Sequence, residues 1–185
     1  MPNFFDQHIQ NIQDWEIGTY ENCAFSGLDF KQTPIKGAKF IECRFHDCDL
    51  SNISVSGCSF QAVTFEKCKL QGIQFEAAST FGFECVFKNC LLRHATFYQV
   101  NLQQSSFQGA DLTEVDFTEI KAQGTAFVNC NLVGAIFENA DLRKANFESS
   151  VNLLLDPAQN QVKSMQVNSG QLAGLLTKYQ LTIKG

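Results

Sequence analysis

A period of five residues runs through most of this chain, and neither an α-helix nor an ordinary β-strand has that period. Fourteen of its 18 phenylalanines lie on one grid. Phe25, Phe30, Phe40, Phe45, Phe60, Phe65 and Phe75 form its first half, and Phe87, Phe97, Phe107, Phe117, Phe127, Phe137 and Phe147 its second. Leu50, Leu70, Leu92, Leu102, Leu112, Leu132 and Leu142 fill most of the gaps. All eight cysteines (Cys23, Cys43, Cys48, Cys58, Cys68, Cys85, Cys90 and Cys130) sit two residues before a grid position, sharing that place with Ala, Val and Ile. A repeat this long fixes the architecture before any local propensity is weighed.

Within each pentad the grid residue, or centre, and the residue two before it are apolar or small, and the others are mostly polar. Three alternating residues followed by a polar turn describe one short side of a coil, with the centre facing inward. The centres sort by type when taken every fourth repeat. One column is Phe25, Phe45, Phe65, Phe87, Phe107, Phe127, Phe147; the next is Phe30, Leu50, Leu70, Leu92, Leu112, Leu132. A third is Ile35, Val55, Phe75, Phe97, Phe117, Phe137; the fourth is Phe40, Phe60, a gap, Leu102, Ala122, Leu142. Sorting by fours predicts four sides and twenty residues per turn, with like residues stacked ~4.8 Å apart.

Phe75 and Phe87 are twelve residues apart where ten are due, so a two-residue bulge is expected near 76–85, with one of Phe81 and Phe83 buried. The expected organisation is an N-terminal cap or partial coil over 1–20, the β-helix over 21–152, and a C-terminal cap over 153–185. In that cap Asp156-Pro157 reads as a helix start. Residues 169–179 read as a short amphipathic helix with Leu172, Leu175, Leu176 and Tyr179 on one face. A terminal strand is expected at Leu181-Thr182-Ile183. The cap covers the last coil and its helix face is a candidate dimer interface.

A net charge of −5 opposes direct binding to a phosphate backbone. No apolar run approaches ~20 residues and the first residues lack a signal-peptide pattern, so a cytoplasmic protein is expected. No Cys-x-x-Cys occurs, and cysteines that follow the repeat read as reduced core thiols. Cys48, Cys68 and Cys90 stack down one wall and cannot surround a tetrahedral metal ion. No phosphate-cradling loop or nucleophile elbow is present, His46 and His94 should face water, and the carboxylates lack a desolvating pocket. Neither catalytic residues nor a cofactor or metal site is expected, and the chain reads as a non-enzyme.

The carboxylates matter as a surface. Asp111, Glu114, Asp116 and Glu119 fall on two adjacent sides of one coil. Glu76, Asp116, Glu119 and Glu138 share the third-column wall with Lys36 as its one cation. This is either a solvated face of an acidic protein or a negative strip suited to a partner that normally grips DNA.

Ala110-Asp111-Leu112-Thr113-Glu114 and Ala140-Asp141-Leu142-Arg143-Lys144 carry the Ala-(Asp/Asn)-Leu-x-x pattern, and over about 21–150 the chain resembles the pentapeptide-repeat proteins. The resemblance implies an all-β solenoid, a right-handed quadrilateral parallel β-helix. The mid-chain slip, Phe87-Lys88-Asn89-Cys90-Leu91-Leu92-Arg93 and Leu155-Asp156-Pro157-Ala158-Gln159-Asn160-Gln161 look like the microcin-immunity members that protect DNA gyrase. The quinolone-resistance (Qnr) members are more distant. This likeness implies a DNA-mimicking homodimer, joined through its C-terminus, that engages gyrase or a related type II topoisomerase and relieves poisoning. Contacts would run along the acidic wall and the bulge at Phe81, Gly82 and Phe83. A structural or scaffold protein with another protein partner is the alternative.

Overall fold

The structure, a computed structural model, describes residues 1–181 and is a parallel β-solenoid whose successive coils lie about twenty residues apart. One face is a seven-stranded parallel sheet whose strands run from His8–Ile9 through Ala24–Ser26, Arg44–His46, Val63–Glu66, Cys85–Lys88 and Ser106–Gln108 to Ala126–Val128. A second face carries a four-stranded parallel sheet of Asn3–Phe5, Thr19–Glu21, Lys39–Ile41 and Ser59–Gln61. The other two faces are held by single bridges: Asp29, Asp49, Lys69, Leu91, Asp111, Asn131 and Val151 form one ladder, and Gln74, Thr96, Asp116 and Ile136 another. Below, the faces are numbered by their column of centres, so these two ladders mark the second and third faces.

The register is the one the columns predict. Phe25 pairs with Phe45, Phe45 with Phe65, and Phe107 with Phe127, each a step of twenty. Phe65 pairs with Phe87, so the bulge adds two residues and leaves the columns aligned. The first-column rings stack with centroids 5.0 Å apart from Phe87 to Phe107 and again from Phe107 to Phe127. Neighbouring columns meet edge to face, as Phe97 and Phe107 do at 5.7 Å. Both arrangements suit the ring quadrupole.

The bulge ends the four-stranded sheet. Phe83 is 6% exposed and turns in against Phe60 and Phe75, while Phe81 is 79% exposed. Phe83 thereby fills the gap in the fourth column. Gly82 has φ of +66°, a left-handed conformation that costs a side-chain-bearing residue ~1–2 kcal/mol.

The cysteines do more than replace alanine. All eight are buried and none is paired in a disulfide. The thiols of Cys43, Cys48, Cys58 and Cys68 donate to the carbonyls of Tyr20, Phe25, Ile35 and Phe45, centres one coil below, at 3.1–3.5 Å. Thr125 and Ser150 occupy the same place in later coils and donate to Leu102 and Phe127 at 2.9 and 2.8 Å. A small donor two residues before the centre therefore satisfies a corner carbonyl that the sparse bridges leave free.

Both ends differ from a plain repeat. The first coil is short, with Phe4 paired to Tyr20, and Trp15 fills it by stacking on Tyr20 at 5.1 Å. At the other end the coil path outlasts the aromatic centres: Asp141 bridges Gln161 and Asn146 bridges Gln166. Asp156-Pro157 forms a turn instead of a helix start, because Asp156 accepts the Ala158 N–H at 2.9 Å and the Asp156 carbonyl accepts the Gln159 N–H. The expected helix over 169–179 is broken into a 3-10 turn at Ser169–Gln171, one α turn at Leu172–Leu175 and a second 3-10 turn at Thr177–Tyr179. Gln171 causes part of this, since its amide is buried and donates to the Phe147 and Ser150 carbonyls at 2.8 and 2.7 Å. Gly174 packs so closely on Leu153 that a Cβ there would overlap its carbonyl. Leu175 packs toward the core, whereas Leu172 and Tyr179 are exposed. Of the expected terminal strand, Thr182 and Ile183 lie outside the described residues.

Candidate functional site

The six carboxylates singled out in the sequence divide into two groups. Asp111 lies on the second-face ladder between Leu91 and Asn131 and is half-buried. Arg93, one coil below, donates from Nε to Asp111 at 2.6 Å, and Thr113 donates from its hydroxyl at 2.6 Å and from its N–H at 3.1 Å. Burial pushes the Asp111 pKa up, but the Thr113 and Arg93 donors outweigh it and hold the carboxyl below its ordinary value. A carboxylate on a convex wall without a desolvating pocket can thus still be shifted, here by the Thr113 and Arg93 donors. Glu114 stands at the next corner with φ of 56° and lies 3.0 Å from His94 Nδ1. Both therefore have a basic neighbour.

Glu76, Asp116, Glu119 and Glu138 form no ion pair among the described residues, although Glu119 shares a shallow groove with Lys121 and Arg143. Asp116 is on the third-face ladder between Thr96 and Ile136. Glu76, on a 3-10 turn at Phe75–Ala77, accepts from the Thr96 hydroxyl at 2.6 and 2.7 Å. Glu119, at a corner with φ of 57°, accepts from Gln99 Nε2 at 2.7 Å, and its N–H donates to the Glu138 carbonyl at 2.8 Å. Asp116 accepts the Thr118 N–H at 2.8 Å. Among the described residues none of the four forms an ion pair, so one face carries a row of exposed or half-exposed charge with neutral partners only.

The same pairing rule operates elsewhere on the second face, where Lys31 reaches both Asp29 and Asp49 at 3.3 Å. The signal was in the sequence: Lys31–Asp49 and Arg93–Asp111 are both eighteen residues apart, from one side of a centre to the opposite side of the next coil. Column arithmetic would have set Asp111 apart from the unpaired row.

The thiols are all buried. Burial pushes Cys58 and Cys130 up to about 11. Cys68, drawn down by its contact with Cys48, is pushed up further by Cys90 and burial, to about 12. Contact with Cys68 and burial raise Cys48 as well, and Cys48, Cys68 and Cys90 hold the same place in successive coils, donating to the carbonyls of Phe25, Phe45 and Phe65. Among the described residues no three His, Cys, Asp or Glu side chains converge as metal ligands.

The sequence profile of the pentapeptide repeat region matches residues 13–83 and 82–153. The chain belongs to the pentapeptide-repeat family. This pentapeptide-repeat protein matches none of the curated proteins in sequence. Its fold is similar to that of QnrB1, described as a plasmid-mediated fluoroquinolone resistance protein. A trypsin-treated variant of QnrB1 aligns with a TM-score of 0.55 and 17% identity over 99% of this chain and 97% of the other. Full-length QnrB1 aligns with a TM-score of 0.54 and 18% identity over 97% of each chain.

Proposed function

We propose that this protein is a non-enzymatic, DNA-mimicking binder of DNA gyrase or a related type II topoisomerase, and that it protects the enzyme from a poison such as a quinolone or a microcin-like toxin. The observation that carries the reading is the row Glu76, Asp116, Glu119 and Glu138 on the third face, none of them in an ion pair among the described residues. A row of fixed charge along a stiff rod complements a basic groove shaped for duplex DNA. The likeness to QnrB1, a fluoroquinolone resistance protein, supports the same reading. Exposed Phe81 on the bulge supplies a second contact. Leu172 and Tyr179, exposed on the C-terminal cap, supply a homodimer contact in a cytoplasmic protein.

A supercoiling assay with purified gyrase and a fluoroquinolone tests it. Added protein restores supercoiling at a drug concentration that otherwise traps cleaved DNA. No rescue and no inhibition at any protein concentration would refute the reading.

A further inference from the structure

The acidic row runs into an aliphatic patch. Ile136 follows Asp116 on the third-face ladder. Around the Gly134 corner, Val133 projects from the second face, Val151 bridges Asn131 beside it, and Leu154 lines one shallow groove with Val133. These four side chains are 45–54% exposed. Val133, Ile136 and Val151 occupy outward positions that Thr113, Asp116 and Asn131 fill one coil below, so the core does not require them. Contiguous exposed aliphatic groups rimmed by charge are the mark of a recognition surface. The rim is acidic on the side of Asp116 and Glu138: residues 110–120, 130–140 and 150–160, which build these faces in the last coils, contain no Lys, Arg or His, while on the cap side Lys178 pairs with Asp156 at 2.6 Å.

We propose that this patch docks a protein segment whose apolar side chains are flanked by Lys or Arg. The inference rests on the reading of the third face as a protein-binding surface and adds the partner's chemistry: charge alone does not match it. A partner with a bare basic groove would leave Val133, Ile136, Val151 and Leu154 in water. One with an apolar anchor and a basic rim covers them and meets Asp116 and Glu138 at once. The carboxylates steer association, and the aliphatic anchor sets the residence time. A second copy of this chain is the competing occupant, since the groove adjoins the cap at Gln171 and Gly174, but a two-fold contact extended to Ile136 would set Asp116 and Glu138 near their own like.

Two helical peptides of equal positive charge test the proposal without gyrase, one of alternating leucine and lysine patches and one with serine for leucine. The leucine–lysine peptide binds the full chain roughly tenfold more tightly, a difference of ~1.4 kcal/mol. Its amide shift changes centre on residues 131–138 and 151–154. Ile136→Gln/Leu154→Gln abolishes the difference and leaves the serine–lysine affinity unchanged, while Asp116→Asn/Glu138→Gln weakens both peptides. Ile136→Thr, which keeps β-branching, gives a smaller loss of the same kind and guards against misfolding as the cause. Equal binding of the two peptides, shifts centred elsewhere, or undiminished binding to the double glutamine variant would overturn the proposal. So would concentration-dependent self-association that this variant abolishes, since the patch would then belong to a second copy. A failed gyrase rescue would sink the proposed function without changing the peptide result.

Discussion

Replacing Phe107 with Ala probes the ring stacks directly. Phe107 is fully buried and lies between Phe87 and Phe127 with centroids 5.0 Å away on each side. It also meets Phe97 and Phe117 edge to face at 5.7 and 5.8 Å. Removing the ring takes about 150 Å² of apolar area out of the core, worth ~4 kcal/mol at ~25 cal/mol/Å². Four aromatic pairs vanish with it, each adding on the order of 0.5–1.5 kcal/mol. These terms sum to ~6–10 kcal/mol for a rigid cavity; relaxation of the neighbouring rings recovers part of that, so the loss belongs near the upper end of the ~3–5 kcal/mol range for Phe→Ala. Phe81→Ala is the control, since that ring is exposed, and should change stability by less than ~0.5 kcal/mol. Urea unfolding followed by far-ultraviolet circular dichroism reads both. A Phe107→Ala loss below ~1 kcal/mol, or one no larger than that of Phe81→Ala, would refute the stacked-core argument.

Further expectations follow from the caps and the titrating groups. Gln171→Ala leaves the Phe147 and Ser150 carbonyls without their donor and should cost ~1–3 kcal/mol, with hydrogen exchange rising first in residues 146–175. The thiols of Cys58 and Cys130 titrate near 11 when folded but ~8.5 when unfolded, so their contribution is complete below ~8.5 and is lost as pH climbs toward 11. Melting temperature should therefore decline between pH 8.5 and 11, and Cys58→Ala should flatten the decline; a flat profile in the parent protein would contradict the burial argument. On the acid side, Arg143 grips Asp141 through two bonds of 2.8 and 2.6 Å and holds its carboxyl below the ordinary value. That contribution is present above ~3.9 and lost as pH falls through the folded value, and Arg143→Ala should remove it from the pH–stability curve.

The architecture was legible because the column identities repeat in steps of twenty, and a two-residue slip cannot hide a column as uniform as Phe65, Phe87, Phe107. The thiol donors were not, because Cys, Thr and Ser look like interchangeable small residues until the free carbonyl one coil below is known. The final coil is less legible because Val162 extends the fourth column, whose centres already vary among Phe, Leu and Ala, and Asn160 supplies by its side chain the bond to Ala140 that a backbone would make. The helical cap is shorter than its apolar spacing predicts, since its register is dictated by Gln171 and Gly174 against the last coil, which no periodicity encodes. The acidic wall was visible as composition, but its division depended on which cation reaches across to the next coil.

The unpaired carboxylates of the third face are the proposed recognition surface. Sedimentation-equilibrium binding to purified gyrase tests it with the parent chain and with Asp116→Lys/Glu119→Lys, whose exposed or half-exposed sites should leave the melting temperature within ~2 °C. The parent should bind, with affinity falling as salt rises, and the double variant should lose at least ~100-fold. Undiminished binding by the folded variant would contradict the account.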